Sequence, residues 1–361
     1  IDDVQAGIGN LWAQMRDQFD QNIFNVQLQD TITLDKKRTW QLTPAIRYNR
    51  SEIIGYSRLG RFDPAKTYRW IHPEDSQVDS KVTWQLALKK EFTPNFSMRM
   101  TGGTYFRLLN MYEIAGDGAG ILPAPMDYKG SGAKFPQPEY GKQFDLSAIW
   151  NGKALGGDNR TTLTYFWRDT QRMLYLYRAG LNYSSYFNDM RGKAHGVELQ
   201  TNFHWKKFDL DIEGTYLRIS AQRRNSSPGV HYDWSEVHPT YQPEWEGNIR
   251  LTYRPTEKWL FFGEAHHVSK YYTHYAIPQV SDPRERELAG RPREALTVVN
   301  LGLKWSPKKD MTLTLGCNDV FDRGPQLRVD SLQRYGSDPG MVNIEYPLQG
   351  RSYYATFRYE F

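Results

Sequence analysis

The 361-residue chain contains no run of 18 consecutive apolar residues, so none of it can cross a bilayer as a helix. It has a single cysteine, Cys317, which excludes an intrachain disulfide and a paired-cysteine metal site. An excess of one charge is also missing. Lys and Arg number 46 against 41 Asp and Glu, a net charge of +5 spread along the chain; a nucleic-acid binder would gather its cations into a stripe. Neither Gly-x-Ser-x-Gly nor His-Glu-x-x-His occurs, so no local motif offers hydrolase or metalloprotease chemistry. Mean hydropathy is low, at −0.71. The chain opens at Ile1 with no basic n-region or apolar h-region.

Aromatic residues are what the chain has in quantity. They make up 14% of it, with 24 Tyr and 11 Trp, and they recur with period two. In the last eleven residues Tyr353, Ala355, Phe357, Tyr359 and Phe361 fall on one side of a strand. Ser352, Tyr354, Thr356, Arg358 and Glu360 fall on the other. The same pattern returns along most of the chain in segments of about 10 residues, the span of a tilted transmembrane strand. A barrel of such strands escapes a hydropathy scan because every second residue faces inward, and its aromatics form girdles at the two membrane interfaces. Cys317 lies in one of these segments and reads as a small apolar side chain.

The first clear strand runs from Asn22 to Leu34, turns at Asp35-Lys-Lys-Arg38 and returns from Trp40 through Tyr48, with Pro44 as an irregularity suited to a bulge or to a position that needs no N–H. Further short turns are expected at 93–95, 151–158, 204–207, 254–258 and 306–310. Long connections are expected at roughly 52–79, 108–139, 170–190, 222–242, 272–293 and 322–348, with residues 1–20 ending an earlier one. The sum is about thirteen strands, with short turns on one rim and long loops on the other. Bacterial outer-membrane barrels have that asymmetry; a soluble sandwich has short connections at both ends. The predicted fold is all-β, an antiparallel transmembrane β-barrel. Thirteen is odd, and a closed antiparallel barrel from one chain normally needs an even number, so part of the barrel is expected to lie outside this sequence.

Four motifs occur in order at strand-compatible spacing. Tyr105-Phe106-Arg107, Met111-Tyr112-Glu113, Gln137-Pro138-Glu139 and Phe144-Asp145 form the first. Phe187-Asn-Asp189 followed by Gly196-Val-Glu-Leu199 forms the second, Asn318-Asp-Val-Phe321-Asp322 the third, and Gly350-Arg351 through Phe361 the last. Together they resemble the C-terminal barrel portion of the TonB-dependent outer-membrane receptors, from about residue 21 onward. The resemblance implies a barrel of about 22 strands enclosing a plug. Residues 1–361 would be the C-terminal part, with the plug, the TonB box and the first strands upstream of Ile1. It also implies a bacterial outer-membrane location and energised uptake of a scarce ligand, foremost a ferric siderophore. The partners would be membrane lipid and lipopolysaccharide, the TonB complex acting through the plug, and the transported ligand. No nucleic-acid partner, catalytic residue or resident metal or cofactor is expected; iron would be cargo, as a ferric chelate or haem.

Asp209, Asp211 and Glu213, then Asn248, Arg250 and Thr252, then Lys304 and Arg358 fall on the polar side of their strands. They suit either a hydrated lining or, as the resemblance implies, hydrogen bonds to a plug. Candidate ligand contacts are the loop residues Tyr68, Arg69, Trp70, Tyr112, Tyr175, Tyr177, Arg178, Tyr232, Trp234 and Tyr275. Aromatic faces and guanidinium groups stack on and pair with flat anionic chelates; the competing role is an interfacial belt with lipopolysaccharide-binding arginines. Haem is the alternative ligand, but haem-type receptors carry a histidine between two boxes where Met111–Gln137 has none, and Leu108-Leu109 replaces their Ala-Pro. A passive porin-like channel and a structural or enzymatic outer-membrane barrel are the rival classes.

Overall fold

The computed structural model describes residues 15–59, 69–71, 76–115, 121–122, 137–178, 184–224, 234–237, 239, 242–272, 292, 294–324, 326–330, 341–346 and 349–360. Thirteen strands of eight residues or more follow one another as an antiparallel meander. They are β1 (Met15–Gln29), β2 (Trp40–Leu59), β3 (Ser76–Thr93), β4 (Phe96–Arg107), β5 (Glu139–Ala154), β6 (Gly157–Arg178) and β7 (Ser184–His204). The rest are β8 (Phe208–Arg224), β9 (Trp245–Thr256), β10 (Trp259–Val268), β11 (Leu296–Lys308), β12 (Met311–Asn318) and β13 (Ser352–Tyr359). Each pairs with its sequence neighbours. Among the described residues β1 pairs on one side only, with β2, and β13 only with β12. The sheet is therefore open.

Register turns the period-two pattern into two faces. On one, Ile32, Leu42, Leu88, Met100, Leu146, Tyr165, Val197, Tyr216 and Trp245 stand side by side across the sheet. Phe208, Tyr253, Phe261, Leu303, Leu315 and Ala355 continue that face to the last strand. One residue away along each strand the row reads Gln41, Lys89, Arg99, Ser147, Thr164, Glu198, Thr215 and Glu246. The apolar face is not covered by protein: Leu28 is 72% exposed, Phe24 55% and Phe357 61%. An apolar surface of this extent is tolerated by a hydrocarbon environment and not by water.

Two aromatic belts bound that face. On the short-turn side Phe208 stacks on Tyr253 at 4.5 Å, Tyr253 meets Phe261 at 6.4 Å, and Trp259 meets Phe261 at 6.0 Å and Trp305 at 5.8 Å. On the other side Tyr216 packs on Trp245 at 4.6 Å. From Phe208 to Tyr216 is eight residues, about 26 Å of strand, comparable with the height of a lipid-facing band.

The short turns fall where the sequence places them. Asp35 closes the first: it accepts hydrogen bonds from Trp40 N at 2.9 Å and Thr39 Oγ1 at 2.7 Å, while Arg38 takes a φ of 57°. Leu155-Gly156 turns with φ of 52° and 78°, two left-handed residues in a row, the conformation that matches strand twist in a two-residue hairpin. Pro44 lies opposite the break between β1 and Ile32–Thr33, where no inter-strand N–H is required of it.

The far rim differs from expectation. The first strand begins at Met15 rather than Asn22 and ends at Gln29. The stretch 170–190, expected as a long connection, is mostly strand: β6 and β7 pair up to Arg178 and Ser184, with a bulge at Arg172, whose φ is 53°. Likewise β2 extends to Leu59 and β8 to Arg224, and 322–348 holds a small hairpin, Gln326–Asp330 with Met341–Tyr346. Outside the membrane both faces of a strand can be wet, so pairing continues after the apolar alternation has ended. Among the described residues a single helical turn, α1 (Met111–Ala115), interrupts the otherwise all-β order.

Candidate functional site

The inward face is a hydrogen-bonded polar wall. Arg168 pairs with Asp145 at 2.9 Å, Arg250 with Glu264 at 3.6 Å, and His266 with Glu246 at 3.8 Å. Ser147 and Thr164 share a hydrogen bond at 2.9 Å. Near the short-turn rim Asp209 binds both His204 and Arg254, and Asp211 accepts from Asn202. Asp209, Asp211, Glu213, Asn248, Arg250 and Thr252 share this face by register, as do Lys304 and Arg358. Carboxylates concentrate on β7–β10, at Glu198, Asp209, Asp211, Glu213, Glu246 and Glu264.

Large rings on this wall are kept flat by glycine. Tyr105 lies over Gly141, Phe166 over Gly196, Phe262 over Gly302 and Tyr354 over Gly316, each on the neighbouring strand. A Cβ at any of these glycines would collide with the ring. The pairing covers exposed glycine backbone and keeps the ring out of the lumen.

At the long-loop rim two knots fix where loops leave the wall. In the first, Arg107 at the end of β4 donates from Nε to Glu139 at 2.8 Å and from Nη1 to both Glu113 oxygens at 2.8 and 3.1 Å. Glu113 also accepts from Asn110 N at 3.0 Å, and its own N–H binds Asn110 Oδ1 at 2.9 Å, a reciprocal cap on α1. Glu139 accepts from Leu174 N on β6. Pro138 beside it is buried. Beneath α1, Ile53, Leu109 and Ile114 form a small core, 2%, 3% and 0% exposed, with Phe19, Met111 and Leu174 around it. Gln21 ties β1 to this knot by donating to Leu109 O at 2.9 Å and Ser51 Oγ at 3.0 Å.

The second knot closes β11, β12 and β13. Asp319, 3% exposed, accepts from Arg323 N and Gly324 N at 2.9 Å each, and its N–H binds Asn300 Oδ1 at 2.9 Å. Asp322 accepts from Arg351 N at 2.8 Å, and Asn318 donates to Ser352 Oγ at 3.3 Å. Gly350, with φ at 80°, lets the chain pass where a Cβ would meet Gly324 O. Phe321 is 65% exposed and takes no part.

Of the expected ligand contacts, Tyr112 lies on α1, edge-on to Tyr186 at 6.2 Å. Tyr175, Tyr177 and Arg178 lie in β6, not in a loop. Arg69 and Trp70 form a short strand against the end of β2. Trp234, on the short strand Trp234–Val237, shares the outward face and lies 4.2 Å from the Arg191 guanidinium. Tyr68, Tyr232, Tyr275 and Phe361 lie outside the described residues. The sequence reading passed over Asn110 and Asp319. The spacing Asn110-x-x-Glu113 is a capping signal that could have been read; Asp319 carries no such signal beyond an acidic residue at the end of an apolar strand.

A family model described as TonB dependent receptor-like, beta-barrel matches residues 2–320. No curated protein matches in sequence. Among solved structures, a copper transporter, OprC, aligns with a TM-score of 0.64 and 14% identity over 94% of this chain and 48% of its own. The siderophore receptor PiuA from Acinetobacter baumannii aligns at 0.62 and 16% over 94% and 44%. The ferric-catecholate import receptor Fiu from E. coli, in its closed form, aligns at 0.64 and 14% over 95% and 45%. The chain thus spans a little under half the length of the structures it resembles.

Proposed function

The chain belongs to the TonB-dependent receptor β-barrel family, a family of bacterial outer-membrane transport receptors, and on that premise we propose that it forms part of the wall of a receptor for energised uptake, foremost of a ferric siderophore. The observation that carries this reading is the inward face, polar and internally hydrogen-bonded over thirteen strands while the outward face is apolar. Such a wall suits a wet path or a polar plug. Ligand would be captured at the long-loop rim, above the two knots. TonB, pulling on a plug, would open a passage along the wall, whose hydrogen-bonding groups can exchange plug for water at small cost.

The test is uptake of radiolabelled ferric catecholate and hydroxamate chelates by cells carrying or lacking the gene, with and without a protonophore. Saturable uptake that collapses with the proton-motive force supports the reading. Linear flux indifferent to the protonophore indicates a passive channel, and growth on haem alone as iron source indicates a haem receptor. The carboxylates on β7–β10 favour a second reading, a cationic metal species as cargo; accumulation of the metal ion without chelator would distinguish it.

A further inference from the structure

On β6, β7 and β8 the outward face changes character row by row toward the long-loop rim. Tyr165, Val197 and Tyr216 stand abreast; the next row is Trp167, His195 and Arg218. Then come Asp169, Lys193 and Ser220, and last Gln171, Arg191 and Gln222. Rows on one face are about 6.6 Å apart. Within about 20 Å, then, the surface passes from apolar through aromatic to cationic. That is the profile of one membrane leaflet, from acyl chain to charged headgroup.

The upper rows enclose a cleft of about 410 Å3, lined among others by Asp169, Gln171, Arg191, Lys193, Ser220 and Gln222. Arg191 is held on two sides, donating from Nε to Gln222 Oε1 at 2.9 Å and stacking on Trp234 at 4.2 Å. The one carboxylate of the cleft, Asp169, is engaged by Gln171 Nε2 at 3.1 Å. Lys193 stands directly opposite Asp169, and Arg218 makes no ion pair among the described residues. Three cations thus face outward against two carboxylates, Asp169 opposite Lys193 and Glu236 opposite Gln222, which leaves a positive excess beside serine and glutamine groups able to hydrogen-bond.

We propose that this cleft binds the phosphate of an anionic lipid of the outer leaflet, with the acyl chains lying along Leu163, Tyr165, Val197 and Leu199. Arg191 offers a planar fork to the phosphate, and Lys193 and Arg218 supply charge from either side. The inference rests on the membrane placement proposed above and not on the identity of the transported ligand.

The protein, extracted from the outer membrane in mild detergent, is delipidated and titrated with bis-phosphorylated lipid A, with dephosphorylated lipid A and with inorganic phosphate. The expected result is that bis-phosphorylated lipid A binds R191A/K193A/R218A on the order of 100-fold more weakly than the parent. Dephosphorylated lipid A binds both weakly, and millimolar phosphate does not displace the lipid. The charge-conserving R191K/K193R retains most of the affinity. Equal affinity in a triple variant that still migrates as heat-modifiable folded protein overturns the proposal. So does displacement by inorganic phosphate, which would assign the cleft to a free anion. Should the triple variant fail to fold, S220E/Q222E, which keeps every cation, is expected to weaken lipid binding; unchanged affinity there also overturns it. Chelate uptake is scored separately, so a failed transport reading and a failed lipid reading are distinguishable.

Discussion

Removing Arg107 should open the loop between β4 and β5 without unfolding the wall. Among the described residues its guanidinium is the one cation between Glu113 and Glu139, whose side chains are 11% and 13% exposed. Truncation to alanine leaves two carboxylates facing each other with little water. Breaking a buried ion pair costs about 3–5 kcal/mol; because Arg107 itself is 40% exposed, the lower end, about 3 kcal/mol, is appropriate. That corresponds to an opening equilibrium on the order of 150-fold larger. Glu113→Gln should cost far less, about 1 kcal/mol, since the amide can still accept from Asn110 N and the remaining Arg107–Glu139 pair is balanced. Amide hydrogen exchange of the extracted protein reads both effects. Asn110, Glu113 and Leu174 should exchange faster in R107A, slightly faster in E113Q, while amides of β9–β12 stay unchanged. Unaltered exchange at Leu174 in R107A, or acceleration spread evenly over the sheet, would refute the assignment of this knot as a local clamp.

Three further outcomes are expected. Leu199→Arg places a charge on the outward face opposite Leu163 and should cost about 2–4 kcal/mol in vesicles, read by urea unfolding; the same substitution at inward-facing Gln200 should be nearly neutral. Gly302→Val should displace the Phe262 ring and lower stability by about 1–3 kcal/mol, and adding Phe262→Ala should recover most of the loss. The Asp35 carboxyl is held below its usual value of 3.8, first by the Trp40 N–H and then by the Thr39 hydroxyl. Its contribution is therefore complete above that value and disappears as pH falls through the lower, folded-state value. Asp35→Asn should remove this part of the acid sensitivity, seen as a smaller loss of refolding yield on acidification.

The parts of the fold visible in the sequence are those where one side of a strand meets lipid. Between Val197 and Phe203 or Phe208 and Tyr216 the alternation is enforced by hydrocarbon, so strand count, short turns and facing residues could be read. Beyond Trp167 and His195 nothing enforces it: Lys193, Asp169 and Gln171 are polar on the outward face as well, and the strands read as loop although they remain paired. The rim knots were half legible. Arg107, Glu113, Glu139 and Asp322 stood out through motif resemblance, but which carboxylates Arg107 clamps depends on β4, α1 and β5 meeting in space. Asp319 is defined by backbone N–H groups, and backbone partners leave no mark in side-chain pattern.

The tight turns at one rim have a consequence for how such a chain can change over time. Leu155-Gly156 and Glu257-Lys258 join strands whose facing is locked on both sides of the turn. A residue gained or lost there cannot be absorbed by slack and would invert every side chain of the next strand. That rim behaves as a parity check on inherited insertions, passing only changes that come in pairs or are matched by a bulge. The opposite rim, closed by knots and not by turns, applies no such check, and variation in length and composition is free to accumulate there.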